Sequence, residues 1–269
     1  MPSGIARVNG TSLYYEVAGS GEPVALVHGF ALDSRMWDDQ VDALAEGHRV
    51  IRYDVRGFGR SEPPDGKPYS RAEDLKALLE HLGIGSADIV GLSMGGSVAV
   101  SFALSFPEMT RKLILADSAL NGYDWSSEWE SSWEAIGGRA KSAGEKAANA
   151  LWLDHPLFAP AREKHSVAAR LAQMVDGYSG WHWVNDDPLR VSDPADASRL
   201  TEVRSPALIV LGERDLPDFH RIAAILQERI PDSRTSKLQG VGHMVNMEAP
   251  EQFNELVLDF LKIPSRRLA

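Results

Sequence analysis

The 269-residue sequence contains no cysteine. This absence excludes disulfide bonds, thiolate metal sites and a cysteine nucleophile, and it fits a reducing compartment. Long apolar runs are absent too, since stretches such as ALIVL at 207–211 are far too short to span a bilayer. The first residues lack the apolar stretch that is typical of a signal peptide. Together these absences predict a cytoplasmic protein that does not enter a membrane.

Positive charge is scarce, with 28 Lys and Arg residues against 38 Asp and Glu residues and a formal net charge of -10. A surface this negative repels phosphate backbones, which argues against nucleic acid as a partner. The hydrophobic fraction of 43% is that of an ordinary globular protein able to bury a core. We therefore expect a small-molecule partner rather than a polymer, and the sequence is silent on oligomeric state.

Short runs that predict strands alternate with helical patterns. The run at 12–17 alternates as a half-exposed strand does. Further strands are predicted at 24–27, 49–54, 87–92, 112–117, 206–215 and 235–238. Helices are predicted after Ser70, after the strand at 87–92, at 223–230 and at 248–261. This alternation predicts an α/β fold with a mostly parallel, doubly wound sheet that has helices on both faces. In such sheets ligands bind beyond the carboxyl ends of the strands.

One segment breaks the alternation, because no strand is predicted between Gly122 and Ala197 and six of the seven tryptophans lie there. Trp125, Trp129 and Trp133 are four residues apart, a spacing that predicts one face of a helix. We interpret the segment as a helical cap inserted before the last two strands. The predicted boundaries are 1–121 and 198–269 for the core domain and 122–197 for the cap.

Ser93 is the candidate nucleophile, because it lies in GLSMGG between a predicted strand and a predicted helix. A nucleophile held in a tight strand-to-helix turn needs residues without side chains two positions away on either side. Gly91 and Gly95 meet this need. The turn also places the hydroxyl near a helix N-terminus, whose free N–H groups favour developing negative charge.

A serine hydroxyl needs a base, and the base needs an acid that fixes its tautomer. Among eight histidines, His243 is the best candidate because it follows the predicted final strand through a loop flanked by glycine. Asp215 and Asp117 both end buried strands and both lie between the serine and the histidine in the chain, with Asp54 as a weaker third. Asp215 is favoured because its strand is the next to last, which fits the order serine, acid, histidine.

A tetrahedral intermediate also needs two N–H donors for its oxygen. The backbone N–H of Met94, directly after the candidate nucleophile, supplies one donor. The loop HGF at 28–30 supplies the other through the N–H of Phe30.

Five segments, in order along the chain, resemble the α/β-hydrolase fold superfamily. They are HGF at 28–30, YDVRGFGRS at 53–61, GLSMGG at 91–96, GERD at 212–215 and GVGHMVNMEAPEQF at 240–253. The resemblance implies Ser93, Asp215 and His243 as a catalytic triad and Phe30 and Met94 as oxyanion donors. The branches most similar in appearance are small carboxylesterases, enol-lactonases of the 3-oxoadipate type and non-haem perhydrolases. Serine at the turn argues against haloalkane dehalogenases and epoxide hydrolases, which use aspartate there.

The sequence therefore predicts a serine hydrolase that cleaves carboxylic esters through an acyl-enzyme, without a cofactor or a metal ion. A lactonase, a C–C bond hydrolase, a perhydrolase and, more remotely, a small-molecule receptor with little turnover stay open as alternatives. The tryptophans of the cap predict a pocket for an ester or lactone with an apolar portion. The candidate substrate-binding residues are Trp125, Trp129, Trp152, Trp183 and Met244.

Overall fold

A computed structural model describes residues 1–263 of the chain. Its centre is one eight-stranded sheet. The strands are β1 (Ser3–Val8), β2 (Thr11–Ala18), β3 (Glu22–Val27), β4 (His48–Tyr53), β5 (Ala87–Leu92), β6 (Thr110–Ala116), β7 (Ala207–Gly212) and β8 (Ser233–Leu238). They are ordered β1-β2-β4-β3-β5-β6-β7-β8, with β1 and β2 antiparallel to their neighbours and the other pairings parallel. The predicted α/β class with a mostly parallel sheet is confirmed.

The strand β1 escapes the sequence patterns. It is an edge strand that pairs only with β2, and Ala6 is its one fully buried residue. A strand that buries a single small side chain has neither the alternation nor the apolar run that marks a strand in a sequence.

Twelve α-helices connect or cover the strands within residues 1–263. They are α1 (Asp38–Ala45), α2 (Arg71–His81), α3 (Met94–Ser105), α4 (Ser127–Ala143), α5 (Glu145–Leu153), α6 (Ala159–Arg162), α7 (His165–Gly177), α8 (Trp181–Val184), α9 (Asp196–Arg199), α10 (Pro217–Arg229), α11 (Val245–Glu248) and α12 (Pro250–Lys262). None of them combines the length and the apolar character that crossing a membrane requires.

The helix predicted over 248–261 is wrong at its start, because the structure has two helices there, α11 and α12. Ala249 separates them with φ −138 and ψ 61. The ring of Pro250 clashes with a helical conformation of the residue before it, so the chain leaves the helix at Ala249 and starts again.

Between β6 and β7 the described chain has no strand and contains the helices α4 to α9. The helices α4 to α8 lie within the predicted cap at 122–197, and α9 crosses its predicted end. Trp125 lies before α4 rather than on it, because Ser126 caps that helix by accepting a hydrogen bond from the N–H of Trp129. The prediction of three tryptophans on one helix is therefore wrong for Trp125. Its ring nevertheless stacks on that of Trp129, with centroids 4.6 Å apart.

The domain boundaries themselves stay predictions, and the stretch 264–269 of the predicted core domain lies outside the described residues.

Candidate active site

Ser93 alone connects β5 to α3. Its backbone has φ 56 and ψ −119, a conformation that residues other than glycine adopt only under strain. It is half-buried, whereas its neighbours from Gly91 to Val100 are all buried. The sharp turn thus presents one hydroxyl beyond the carboxyl end of a central strand and at the N-terminus of a buried helix.

The glycines around Ser93 are required by close approaches of the backbone. A Cβ atom on Gly91 would lie less than 3.0 Å from the carbonyl oxygen of Gly95. A Cβ atom on Gly95 would lie equally close to the carbonyl oxygen of Val27, the last residue of β3. These contacts are with backbone atoms, which cannot turn aside as a flexible side chain can. The turn that holds Ser93 therefore depends on glycine at both positions.

We expect Gly95→Ala to destabilise the protein by about 3 kcal/mol or more, because the added methyl group overlaps the backbone of β3. Gly137→Ala is the matched control, since Gly137 lies within α4 and, apart from the adjacent turns of that helix, no atom of residues 1–263 lies within 4 Å of its Cβ position. The control should gain about 0.5 to 1 kcal/mol from higher helix propensity. Urea unfolding of both variants measures the difference. Equal stability of the two would contradict the assigned close approach.

His243 and Asp215 form a buried pair in the loops that follow β8 and β7. The His243 Nδ1 atom lies 2.8 Å from the Asp215 Oδ2 atom, and the two side chains are 2% and 0% exposed. The other carboxylate oxygen of Asp215 accepts a hydrogen bond from the N–H of Leu216 at 2.6 Å. A carboxylate at Nδ1 fixes the tautomer that carries its proton there and leaves Nε2 free to act as a base.

Ser93 and His243 line the same small cavity, and so do Phe30, Met244 and Trp152. The structure thus brings together side chains that are distant in the sequence. The hydrogen bonds of the described residues do not include one between the Ser93 hydroxyl and the His243 ring. Such bonds often tighten only when a substrate binds.

Two backbone N–H groups near Ser93 are the predicted oxyanion donors. The N–H of Phe30 has no acceptor among the hydrogen bonds of residues 1–263. Met94 is the first residue of α3, where N–H groups have no partner within the helix. The chain at Gly29 passes close to the serine, with the Gly29 Cβ position 3.5 Å from the Ser93 Cβ atom. Phe30 directly follows Gly29 and lines the same cavity as Ser93, and Met94 directly follows Ser93. The role of both N–H groups as oxyanion donors stays a prediction.

The two rival aspartates have other hydrogen-bond partners. Asp54 accepts hydrogen bonds from the N–H groups of Ser34 and Arg60, so it holds two loops together. Asp117 accepts one from the N–H of Gly212 at 2.9 Å. It lies beside the His243–Asp215 pair, and one ligand atom from each of the three residues lies within 4.8 Å of the others. Of the three aspartates, Asp215 is the one hydrogen-bonded to His243.

The candidate substrate-binding residues occupy different places. Trp152 and Met244 line the small cavity, and Trp129 lines a larger cavity of about 540 Å³. Trp183 and Trp125 are not among the residues that line these two cavities. The Nε1 atom of Trp183 donates to Asn149 Oδ1 at 2.8 Å. The buried Trp183 ring packs against Trp133 of the predicted cap and against Phe30, which lines the small cavity. Trp183 therefore lies behind a residue of the cavity wall rather than in the wall itself.

The larger cavity lies beside the small one, between residues of the predicted cap and α10. Sequence patterns did not point to most of its lining, which comprises Ser126, Glu128, Trp129, Ser132, His155, Pro156, Leu216, Pro217, Asp218 and Arg221. Trp129 and His155 also contact Trp152 of the small cavity. Leu216 directly follows Asp215, which ties this cavity to the buried His243–Asp215 pair.

His155 is a second histidine near the site. Burial lowers its pKa to about 4, and the charges of His243 and Arg162 lower it as well. Its Nδ1 atom accepts a hydrogen bond from the N–H of Leu157, so the proton of the neutral ring lies on Nε2, 3.1 Å from Ser132 Oγ. His155 is therefore neutral at neutral pH and contributes no charge to the cavity.

Comparison with known proteins agrees with this architecture. The family model described as alpha/beta hydrolase fold matches residues 22–250. A putative carbamate hydrolase from Azorhizobium caulinodans is 28% identical over 92% of this chain and 94% of its own. The crystal structure of the enol-lactonase from Burkholderia xenovorans LB400 superposes with a TM-score of 0.80 and 28% identity over 97% of this chain and 100% of the other. The structure of a thermophilic esterase from Thermogutta terrifontis superposes with a TM-score of 0.79 and 26% identity, over 97% of this chain and 98% of the other.

The match to the family model spans most of the chain and includes β3 to β8, Ser93, Asp215 and His243. The resemblance found in the sequence is confirmed, and the chain belongs to the α/β hydrolase fold family.

Proposed function

We propose that the protein is a serine hydrolase that cleaves carboxylic esters through an acyl-enzyme. One observation carries the proposal. Ser93, which is half-buried and has a strained backbone, lines one cavity with His243, and the Nδ1 atom of His243 is hydrogen-bonded to Asp215. Membership of a hydrolase family and the similarity to an esterase support it. We also retain the predictions of a cytoplasmic location and of catalysis without a cofactor or metal ion.

In the proposed reaction, the Ser93 hydroxyl attacks the ester carbonyl while His243 Nε2 takes the proton. Asp215 stabilises the imidazolium that forms, and the N–H groups of Phe30 and Met94 bind the oxyanion. The tetrahedral intermediate collapses, and the leaving alcohol takes the proton from His243. Water then attacks the acyl-enzyme while His243 takes a proton from it. When this second tetrahedral intermediate collapses, His243 gives the proton to the Ser93 oxygen, and the acid and free Ser93 are released.

The larger cavity supports a substrate with an uncharged, apolar portion. Trp129, Pro156, Leu216 and Pro217 give it an apolar wall. Its charged residues are two acids, Glu128 and Asp218, and one base, Arg221. Arg221 is already paired with Asp218 at 2.8 Å, which leaves Glu128 to set the sign of the local charge. A carboxylate on the substrate would meet repulsion here rather than a cationic partner.

A panel of p-nitrophenyl esters tests this preference. We expect kcat/KM for the hexanoate to exceed that for the acetate by about 10-fold or more, because each buried methylene contributes about 0.8 kcal/mol. The succinate half-ester should react at least about 10-fold more slowly than the butyrate, because its free carboxylate meets Glu128. A preference for the succinate half-ester would contradict the assigned cavity.

The variant Trp129→Ala should remove most of the gain from chain length while leaving the acetate rate within about threefold. Trp181→Ala is the matched control, since Trp181 is not among the residues that line the two cavities. Loss of the chain-length preference in both variants would show that the cap as a whole, and not the cavity wall, had been disturbed.

Lactone hydrolysis is the second candidate, favoured by the likeness to the enol-lactonase structure. It needs the same attack by Ser93 and differs only in that the leaving alcohol stays attached to the acyl group. Turnover of uncharged lactones at rates above those of the p-nitrophenyl esters would make it the primary activity.

A further inference from the structure

Asp117 is a buried carboxyl group that the proposed reaction does not use. It follows β6, is 1% exposed, and has a backbone φ of 38, in a region that residues other than glycine rarely adopt. Its carboxyl oxygen lies within 4.8 Å of ligand atoms of both Asp215 and His243. A third ionisable group therefore lies against the buried pair.

Of the four carboxyl oxygens of Asp117 and Asp215, one has no hydrogen-bond partner within residues 1–263. Asp215 Oδ2 accepts from His243 and Asp215 Oδ1 accepts from the N–H of Leu216. Asp117 Oδ1 accepts from the N–H of Gly212. Asp117 Oδ2 is buried and has no hydrogen-bond partner within residues 1–263. A buried carboxylate oxygen left in this way is costly unless it carries a proton that it can donate.

The charges around Asp117 act in the same direction. Asp215 on the loop after β7 and Glu248 on α11 are both acidic, and the one basic side chain of the group, His243, is hydrogen-bonded to Asp215. Burial, and after it the negative charge of Asp215, raises the pKa of Asp117 well above its ordinary value. Two adjacent buried carboxyl groups do not both ionise, because one proton between them removes the repulsion.

We propose that Asp117 is a protonated positioning residue, which donates its Oδ2 proton to the Asp215 carboxylate and holds that carboxylate against His243. The proposal rests on the proposed function insofar as Asp215 is taken as the acid of the triad. In this proposal Asp117 touches neither the substrate nor the reacting atoms and acts only through Asp215.

A divalent cation between the three side chains is the rival explanation. A cation would need at least four ligand atoms, whereas three of the four carboxylate oxygens already accept hydrogen bonds from N–H groups. One remaining oxygen needs only one proton. Loss of activity with EDTA and recovery with added Zn²⁺ or Mg²⁺ would overturn the proposal, and full activity in EDTA supports it.

The variants Asp117→Ala and Asp117→Asn test the proposal in the full chain. Alanine removes the donor, and we expect kcat for p-nitrophenyl butyrate to fall by about 10-fold or more with KM within about twofold. Asparagine restores an N–H donor and keeps an oxygen for the N–H of Gly212, so we expect it to recover kcat to within about threefold of the wild type. A purely structural role would not be rescued by the change of one atom in this way.

The pH profile separates a protonated from an ionised Asp117. If Asp117 is protonated, Asp117→Asn changes no charge, so the midpoint of the rising limb of kcat/KM should stay within about 0.3 pH unit. If Asp117 is ionised, the variant removes an anion beside the histidine and the midpoint should fall by about one unit. A fall of that size, or no rescue by asparagine, would overturn the proposal.

Infrared spectroscopy decides the protonation state even if the alanine variant fails to fold or the protein proves inactive. The wild type with ¹³C-labelled aspartate should show a carboxylic-acid C=O band at pH 8 that Asp117→Asn lacks. Identical spectra of the two proteins would overturn the proposal. If the wild type shows this band but Ser93 proves unreactive, Asp117 is protonated as proposed and the proposed catalytic role of Ser93 is wrong.

Discussion

Replacement of Ser93 by alanine is expected to lower kcat/KM for p-nitrophenyl butyrate by about 10⁵- to 10⁶-fold. The variant loses the atom that forms the acyl-enzyme, so only binding and the oxyanion donors are left to accelerate attack by water. The fold should be unaffected, because the Ser93 side chain makes no hydrogen bond among the described contacts and glycines, not the hydroxyl, set the shape of the turn.

Ser105→Ala is the control for this measurement, since Ser105 ends the same helix and is exposed. Its activity should equal that of the wild type. If the Ser93→Ala protein matches the wild type in circular dichroism and unfolding midpoint and keeps a tenth of its activity, Ser93 is not the nucleophile.

Asp215→Asn is expected to lower kcat/KM by about 10⁴-fold, the second-largest effect. The amide has almost the same shape as the carboxylate, but its NH₂ group can point at His243 Nδ1 and favour the tautomer with the proton on Nε2. That tautomer cannot accept the proton of Ser93. The imidazolium also loses the negative charge that stabilises it.

Asp232→Asn is the matched control, because Asp232 is exposed and the Asp232 side chain makes no hydrogen bond among the described contacts. The same experiment separates the two aspartates that follow the order serine, acid, histidine. If Asp215→Asn were active and Asp117→Asn were inactive, the role of the acid would pass to Asp117.

The local geometry around Ser93 could be predicted from the sequence because it depends on excluded volume between near neighbours. A sharp turn from a strand into a helix needs glycine two positions before and after the residue at the turn. Gly91 and Gly95 occupy these positions, and the structure has β5, Ser93 and α3 in that order. The strands that precede Asp117 and Asp215 could be predicted from the apolar runs LILA at 113–116 and ALIVLG at 207–212. The strand β7 nevertheless ends at Gly212, three residues before Asp215.

The shape of the substrate cavity could not be predicted, because it depends on tertiary packing. Trp129 and Leu216 belong to different parts of the chain, and no periodicity in either segment indicates that they face one cavity. Trp183 is an aromatic residue of the type that lines pockets, yet a hydrogen bond to Asn149 and the ring of Phe30 hold it behind the small cavity rather than in its lining. The sequence did not predict that Asp117 and Asp215 are neighbours, because their proximity also depends on tertiary packing.

Covalent labelling with a fluorophosphonate tests the central claim most directly, because this reagent is attacked by an activated serine and stays attached. Mass spectrometry of the digested protein should find one adduct per chain on the peptide that contains Ser93. The variant His243→Ala should be labelled at least about 10³-fold more slowly, because no base is left to take the proton of the Ser93 hydroxyl. An adduct on another residue, or an unlabelled protein that still hydrolyses esters, would contradict the account.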